Sequence, residues 1–268
     1  VKTHADEKGC WELQITTPAA SFEEYTLTLT DGEQSVTLQH LLIGEVWLCA
    51  GQSNMVMPLN GFDYCPISDS NNVIADAPNH PGIRMVTIKP TVKLSPQEYA
   101  EGSWQQPTTE NAPKFSAAAY HYALTLQRTL QIPIGVITCA WGGSRVEGWL
   151  PKEILQTYKD EDLTLIGSDK TPVYLQSMLM YNGILYPCHK YTIKGFILYQ
   201  GESNVRSSRT YAERLATMVK HWRSIWKQGD LPFYYVETVP FACEYKEDGY
   251  IGALLREAQQ KALSLIPN

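Results

Sequence analysis

What most constrains this chain is a set of five strand-length runs that are apolar on nearly every residue, at positions 45–50, 83–88, 134–140, 194–199 and 232–236. A strand with one wet face alternates apolar and polar side chains. One that does not alternate must be covered on both faces, the condition of a parallel sheet between helical layers. The intervening segments supply such layers. Residues 115–130 carry Ala119, Tyr122, Ala123 and Leu126 at a spacing that makes one helical face, and 211–226 do the same with Leu215, Met218, Val219, Trp222, Ile225 and Trp226. Residues 251–265 repeat the pattern. Strands alternating with helices predict a doubly wound α/β sandwich. Before it, positions 11–16, 25–30 and 35–39 alternate, with Asp31-Gly32 as a hairpin turn. The chain therefore divides into a β-rich segment, 1–43, expected to be part of a small β-sandwich, and an α/β domain, 44–268. The polar stretch 60–81 reads as an excursion over the surface.

Several classes of function drop out. The net charge is −6 with no cluster of Lys and Arg, so nucleic acid is not an expected partner. The longest apolar runs, 46–50 and 134–141, fall well short of the roughly 20 residues that a membrane helix needs. The six cysteines form no CxxC pair and no metal spacing, and Asp63, Asp69 and Asp76 resemble no metal-ligand array, so neither metal nor cofactor is expected. Cys49 and Cys139 lie in apolar runs, as core thiols do. The sequence begins at Val1 and stops after a helix at Ile266-Pro267-Asn268, where an α/β fold would continue into a strand. The domain thus reads as incomplete at its carboxyl end.

Ligands of an open α/β sheet bind beyond the carboxyl ends of its strands. Three of those ends carry glycine with small polar residues: Gly51-Gln52-Ser53-Asn54-Met55, Trp141-Gly142-Gly143-Ser144 and Gln200-Gly201-Glu202-Ser203-Asn204. A serine on a tight turn is a candidate nucleophile, provided a base takes its proton and preorganised donors meet the oxyanion. Ser53 is that candidate, with the Ser53 and Gly143 N–H groups and the Asn204 amide as donors. Plainer readings compete: Ser53 as a helix cap, Gly142-Gly143 and Asn204 as turn residues, and Arg145 paired with Glu147 or Glu153. Gln52, Gln200, Glu202 and Arg145 are candidate substrate-binding residues, and Trp141, more than Trp47 or Trp149, a candidate sugar platform. Met55 replaces the last glycine of the G-x-S-x-G elbow, which argues against an α/β-hydrolase.

The three blocks resemble those of the sialate O-acetylesterases, within the wider group of SGNH hydrolases. The stretch from Gly44 to Met55 is similar to the nucleophile block. Trp141-Gly142-Gly143-Ser144-Arg145-Val146-Glu147-Gly148-Trp149 is similar to the block supplying an oxyanion glycine, and Tyr199-Gln200-Gly201-Glu202-Ser203-Asn204 to the one carrying an oxyanion asparagine. Tyr181-Asn182-Gly183 resembles a fourth segment. The resemblance implies a three-layer α/β/α sandwich that removes acetyl groups from O-acetylated sugars without a metal, in a secreted or periplasmic protein. That family's base is a histidine in an Asp-x-x-His block, which is absent here. His4, His40, His80, His121, His189 and His221 all lie in other contexts, so the base is expected beyond Asn268. An inactive carbohydrate-binding homologue and an acetylxylan esterase of the same fold are the alternatives.

Overall fold

The computed structural model describes residues 1–240 and 250–267. Strands β1 (Ser21–Thr30) and β2 (Ser35–Ile43) form an antiparallel hairpin, and β3 (Glu45–Gly51) follows directly. Five parallel strands then make one sheet in the order β4-β5-β3-β6-β7, with β4 at Ile83–Thr87, β5 at Ile134–Ala140, β6 at Gly195–Tyr199 and β7 at Phe233–Tyr235. The helices are α1 (Ser53–Val56), α2 (Ser70–Asp76), α3 (Ala117–Leu130), α4 (Lys152–Leu155), α5 (Ser208–Trp226) and α6 (Ile251–Leu263).

The unbroken apolar runs are explained by cover on both faces. Along β3, Trp47 and Cys49 point into one core with Met55 of α1 and Tyr120 and Ala123 of α3. Leu48 and Ala50 point into another, with Leu215, Met218 and Trp222 of α5 and Leu255 of α6. In β6, Ile197 joins the first core while Phe196 and Leu198 join the second. The result is the expected three-layer α/β/α sandwich. The register levels the three central strands, because Gly51 pairs with both Ala140 and Tyr199. All three candidate blocks therefore leave the sheet side by side.

Three local expectations change. The buried stripe of α3 runs through Tyr120, Ala123, Leu124 and Gln127, one position round from the one expected, leaving Tyr122 and Leu126 half-buried. Residues 11–16 alternate like a strand but join no ladder, so among the described residues the segment before β3 contributes a two-stranded hairpin. Its turn is set by Asp31, whose Oδ1 accepts from the N–H groups of Glu33 and Gln34 at 2.9 and 2.7 Å. Finally, the surface excursion is not wholly irregular: it contains α2 and leads into the amino end of β4.

Candidate active site

Ser53 is presented by a backbone that only glycine allows. Gly51 has φ of +149°, and a Cβ there would lie 2.1 Å from the Tyr199 carbonyl oxygen of the next strand. The turn is tied on both sides: Gln52 N–H donates to Tyr199 O at 3.0 Å, and Gly51 O accepts from Trp141 N–H at 3.0 Å. Ser53 is the first residue of α1, and Gln52 holds the capping position without a side-chain cap bond. The Ser53 hydroxyl is therefore not used as a helix cap.

The β5 block turns back beside it. Ser144 N–H donates to Trp141 O at 3.2 Å, and Gly143, with φ of +75°, takes the left-handed position that such a turn requires. An ideal Cβ on Gly142 would stand 4.0 Å from Ser53 Cβ, which fixes the turn at the serine's side. Among the described residues neither the Ser53 nor the Gly143 N–H meets an acceptor.

The β6 block locks the other two together. Gln200 is buried and donates to Ser144 O at 3.1 Å and to Asn204 Oδ1 at 2.8 Å. Ser203 donates from its hydroxyl to Gly143 O at 2.8 Å. Gln52, also buried, accepts through Oε1 from Gly201 N–H at 3.1 Å. The buried Tyr211 hydroxyl on α5 lies 2.9 Å from Gln200 Oε1 and 3.0 Å from Gln200 O. Gln52 and Gln200 thus hold the three loops in register.

Asn204 is tied into the same network through both ends of its amide. Its Oδ1 accepts from Val146 N–H at 2.9 Å, and its amide donates to Glu147 Oε2 at 2.9 Å, with Oε1 at 3.3 Å. Glu147 has a side chain 0% exposed. Arg214 of α5 meets its Oε1 at 2.6 Å and reaches Asp160 at 2.6 Å. Burial works against the Arg214 charge, but Glu147, with Asp160 and Glu161, more than offsets it and holds the guanidinium above its ordinary value. Arg145 is likewise committed. It pairs with Glu161 at 2.6 Å, donates from Nε to Leu175 O at 3.0 Å, and lies 3.7 Å from Glu147. It makes no pair with Glu153. Its guanidinium secures the 161–177 loop. Sequence reasoning missed Glu147 and Arg214 as a pair, although Arg214 sits on the buried stripe between Tyr211 and Met218, where an unpaired charge would not survive.

Glu202 faces the nucleophile block. Asn54 donates to its Oε1 at 2.7 Å, while Oε2 is buried without a hydrogen-bond partner. Burial pushes this carboxyl above its usual range, against the lowering effect of its backbone hydrogen bond and of Asn54. Trp47 and Trp149 are core residues, and Trp141 is half-buried against the α5 side. A surface cavity of about 470 Å³ lined by Val205, Arg206, Arg209, Thr210, Tyr250 and Leu254 does not include Ser53.

No histidine is placed as a base. His40 pairs with Glu24 at 2.7 Å, His189 lies 2.6 Å from Tyr186 O, and His221 lies 2.9 Å from the Tyr181 hydroxyl. His4 and His121 are exposed. His80 lies 2.9 Å from Asp76, a promising pair at the wrong end of the sheet. It precedes Ile83, which aligns with Ile134, whereas Ser53 follows Gly51, which aligns with Ala140. Six residues of strand separate the two levels, about 20 Å. Cys49 and Cys139 are buried thiols whose pKa burial pushes up, and Cys188 lies 3.9 Å from Cys139. Cys10 and Cys65 are exposed, and Cys243 lies outside the described residues. Among the described residues no cluster of three or more His, Cys, Asp or Glu is arranged to hold a metal, and no helix is long and apolar enough to cross a membrane.

Comparisons with known proteins point to one family. The family described as carbohydrate esterase, sialic acid-specific acetylesterase, matches residues 43–267. Human sialate O-acetylesterase is 27% identical over 241 residues, covering 85% of this chain and 45% of the human protein. The mouse sialate O-acetylesterase is 24% identical over 263 residues, covering 82% and 48%. The chain therefore spans about half the length of these relatives. A carbohydrate acetylesterase from Xanthomonas citri superposes with a TM-score of 0.86 at 30% identity, covering 97% of this chain and 56% of that one.

Proposed function

The chain belongs to the carbohydrate esterase family of sialic acid-specific acetylesterases, and from that premise we propose that it carries the nucleophile of a serine esterase acting on O-acetylated sugars, O-acetylated sialic acids foremost. One observation carries the reading: Ser53 stands at the end of the central strand with Gly142 against it and two N–H groups, its own and that of Gly143, without acceptors. Ser53 Oγ attacks the acetyl carbonyl carbon as a base takes its proton. The carbonyl oxygen gathers charge against the N–H groups of Ser53 and Gly143. Collapse expels the sugar hydroxyl, which leaves with the proton, and water then releases acetate from the acetyl-enzyme. Asn204 acts here as a positioning residue, because it fixes Val146 and through it the Gly143 turn. Glu202 takes a hydroxyl of the sugar.

The base in this reading is a histidine supplied by polypeptide outside residues 1–268. Two facts support that assignment: no histidine contact among the described residues reaches Ser53, and the curated relatives are about twice as long. The same absence favours a second reading, a binding homologue without turnover. Hydrolysis of O-acetylated N-acetylneuraminic acid, acetylated xylan and 4-nitrophenyl acetate separates them. The assay compares this chain with a version extended past Asn268, each with and without Ser53→Ala. Release of acetate from the sialic acid by the longer protein, lost by 10³-fold or more in Ser53→Ala, is the expected result on the scale of triad deletions, roughly. Preference for xylan would move the substrate assignment. Turnover that survives Ser53→Ala would sink the mechanism, and binding without turnover would favour the homologue.

A further inference from the structure

Resting on the esterase reading of Ser53, we propose that Tyr174 is a specificity-determining wall of that site, an aromatic surface that takes the apolar face of the sugar whose ester Ser53 attacks. The placement comes from Gly143. A Cβ on that glycine would lie 2.7, 3.0 and 3.3 Å from Cδ2, Cε2 and Cγ of Tyr174, so the ring rests directly on the Gly143 backbone. Gly142, the neighbouring residue, stands against Ser53. The ring therefore packs on the glycine next to the one that stands against Ser53.

Despite that contact Tyr174 remains 40% exposed. A single exposed aromatic is ordinary in itself. What sets this one apart is how firmly its loop is built. Tyr174 is the middle residue of the short helical turn Val173–Leu175. Leu175 N–H donates to Pro172 O at 2.9 Å and Gln176 N–H to Val173 O at 3.1 Å. The Gln176 side chain is buried and spans the loop, accepting from Gly167 N–H at 2.7 Å and donating to Ser168 O and Thr171 O, each at 2.8 Å. Arg145, from the same β5 block as Gly143, clamps Leu175 O and Glu161. An aromatic ring on a loop so constrained meets a ligand without much further loss of freedom. A pyranose offers it a face of C–H groups, while the hydroxyls at its rim are left for polar partners such as Glu202. This placement also gives Arg145 its part in the site. It reaches the substrate only through the loop that carries Tyr174.

The test uses two esters of the same acid. O-acetylated N-acetylneuraminic acid carries the ring, and methyl acetate carries only the acetyl group. In the extended enzyme, Tyr174→Ala lowers the ratio of kcat/KM for the sugar ester to that for methyl acetate by roughly tenfold, mostly through KM, the effect of one good aromatic contact. Tyr174→Trp keeps the ratio within about threefold of the parent, since the wall is retained. An unchanged ratio in Tyr174→Ala, whether both esters slow together or neither does, overturns the proposal and leaves the ring as a support for Gly143. Calorimetric titration of the same sugar into Ser53→Ala, with and without Tyr174→Ala, reads the wall without turnover. If Ser53→Ala still hydrolyses, the esterase mechanism fails, and the titration still decides whether Tyr174 holds the sugar.

Discussion

The loops at the carboxyl end of the sheet and the β1–β2 hairpin are opposites in composition and in cover. The loops are held by Gln52, Gln200, Asn204 and Glu147, with Arg214 of α5, all polar and all buried. The hairpin pairs Leu27 with Leu38 and Leu29 with Val36 on one face, yet Val36 is 60% and Leu38 44% exposed. Polar groups inside and apolar groups outside reverse the usual order, and the contrast shows that cover decides what a side chain contributes. A buried polar network holds because each member satisfies another, so deleting one strands its partners. An apolar face without cover contributes little, since it removes little surface from water.

The sharpest way to break this comparison is at Glu147. Glu147→Ala leaves Arg214 buried beside a gap and the Asn204 amide without its acceptor. An expected loss of about 3–5 kcal/mol follows from breaking a buried pair by removing one partner, read as a shift in urea midpoint. A loss below about 1 kcal/mol would mean that the network is solvated and does not hold the loops. Next in size is Gly143→Ala. It forces a side chain into a left-handed backbone and into the Tyr174 ring, at a cost of about 1–3 kcal/mol. If the closeness of the ring is part of that cost, Tyr174→Ala in the same protein recovers some of it. Strict additivity of the two changes would show that the backbone alone is responsible.

The same contrast explains how far the sequence was readable. Residues 134–140 read as a strand and are one, because an unbroken apolar run reports cover on both faces without reference to any partner. Residues 11–16 carry a strand pattern and join no ladder, since alternation reports only a preference and a strand needs a neighbour to pair with. At the site, Ser53 and Gly143 were legible as local events, a turn after a strand and a glycine at a left-handed position. Asn204 was legible as a candidate but its partner was not, because Glu147 lies 57 positions away in the chain. Tyr174 was invisible. It belongs to an irregular segment with no period to read, and its meaning comes only from the glycine it covers.

A smaller effect tests the one loose end of the network, Glu202. Its carboxyl is raised in the folded protein by burial, so folding favours the protonated form. The sign then follows from linkage. The contribution is fully present below the unfolded value, about 4.3, and is lost as pH rises through the higher folded value. Above that point the folded protein carries a poorly solvated charge that glutamine lacks, while Gln Oε1 can keep the bond from Asn54. Glu202→Gln should therefore gain stability relative to the parent between pH 4 and pH 8, by less than the two losses above. Urea titrations at those two pH values check it. An identical difference at both would mean that Oε2 is in effect solvated and that the network has no loose end.

The last test sharpens the comparison most directly, because it makes one chemical change in both regions. Val36→Thr in β2 and Val136→Thr in β5 each replace a methyl group by a hydroxyl on a β-branched side chain, so strand preference barely changes. Val136 is fully buried in the α3-side core. Its new hydroxyl enters an apolar environment, at an expected cost of about 1–3 kcal/mol unless a carbonyl accepts from it. Val36 faces water beside Leu29 and should change by no more than about 0.5 kcal/mol. Equal and small effects would mean that the core is looser than its burial implies. A large effect at Val36 would carry a different message: the hairpin's apolar face is covered in solution, and the contrast between the two regions belongs to this stretch of chain alone.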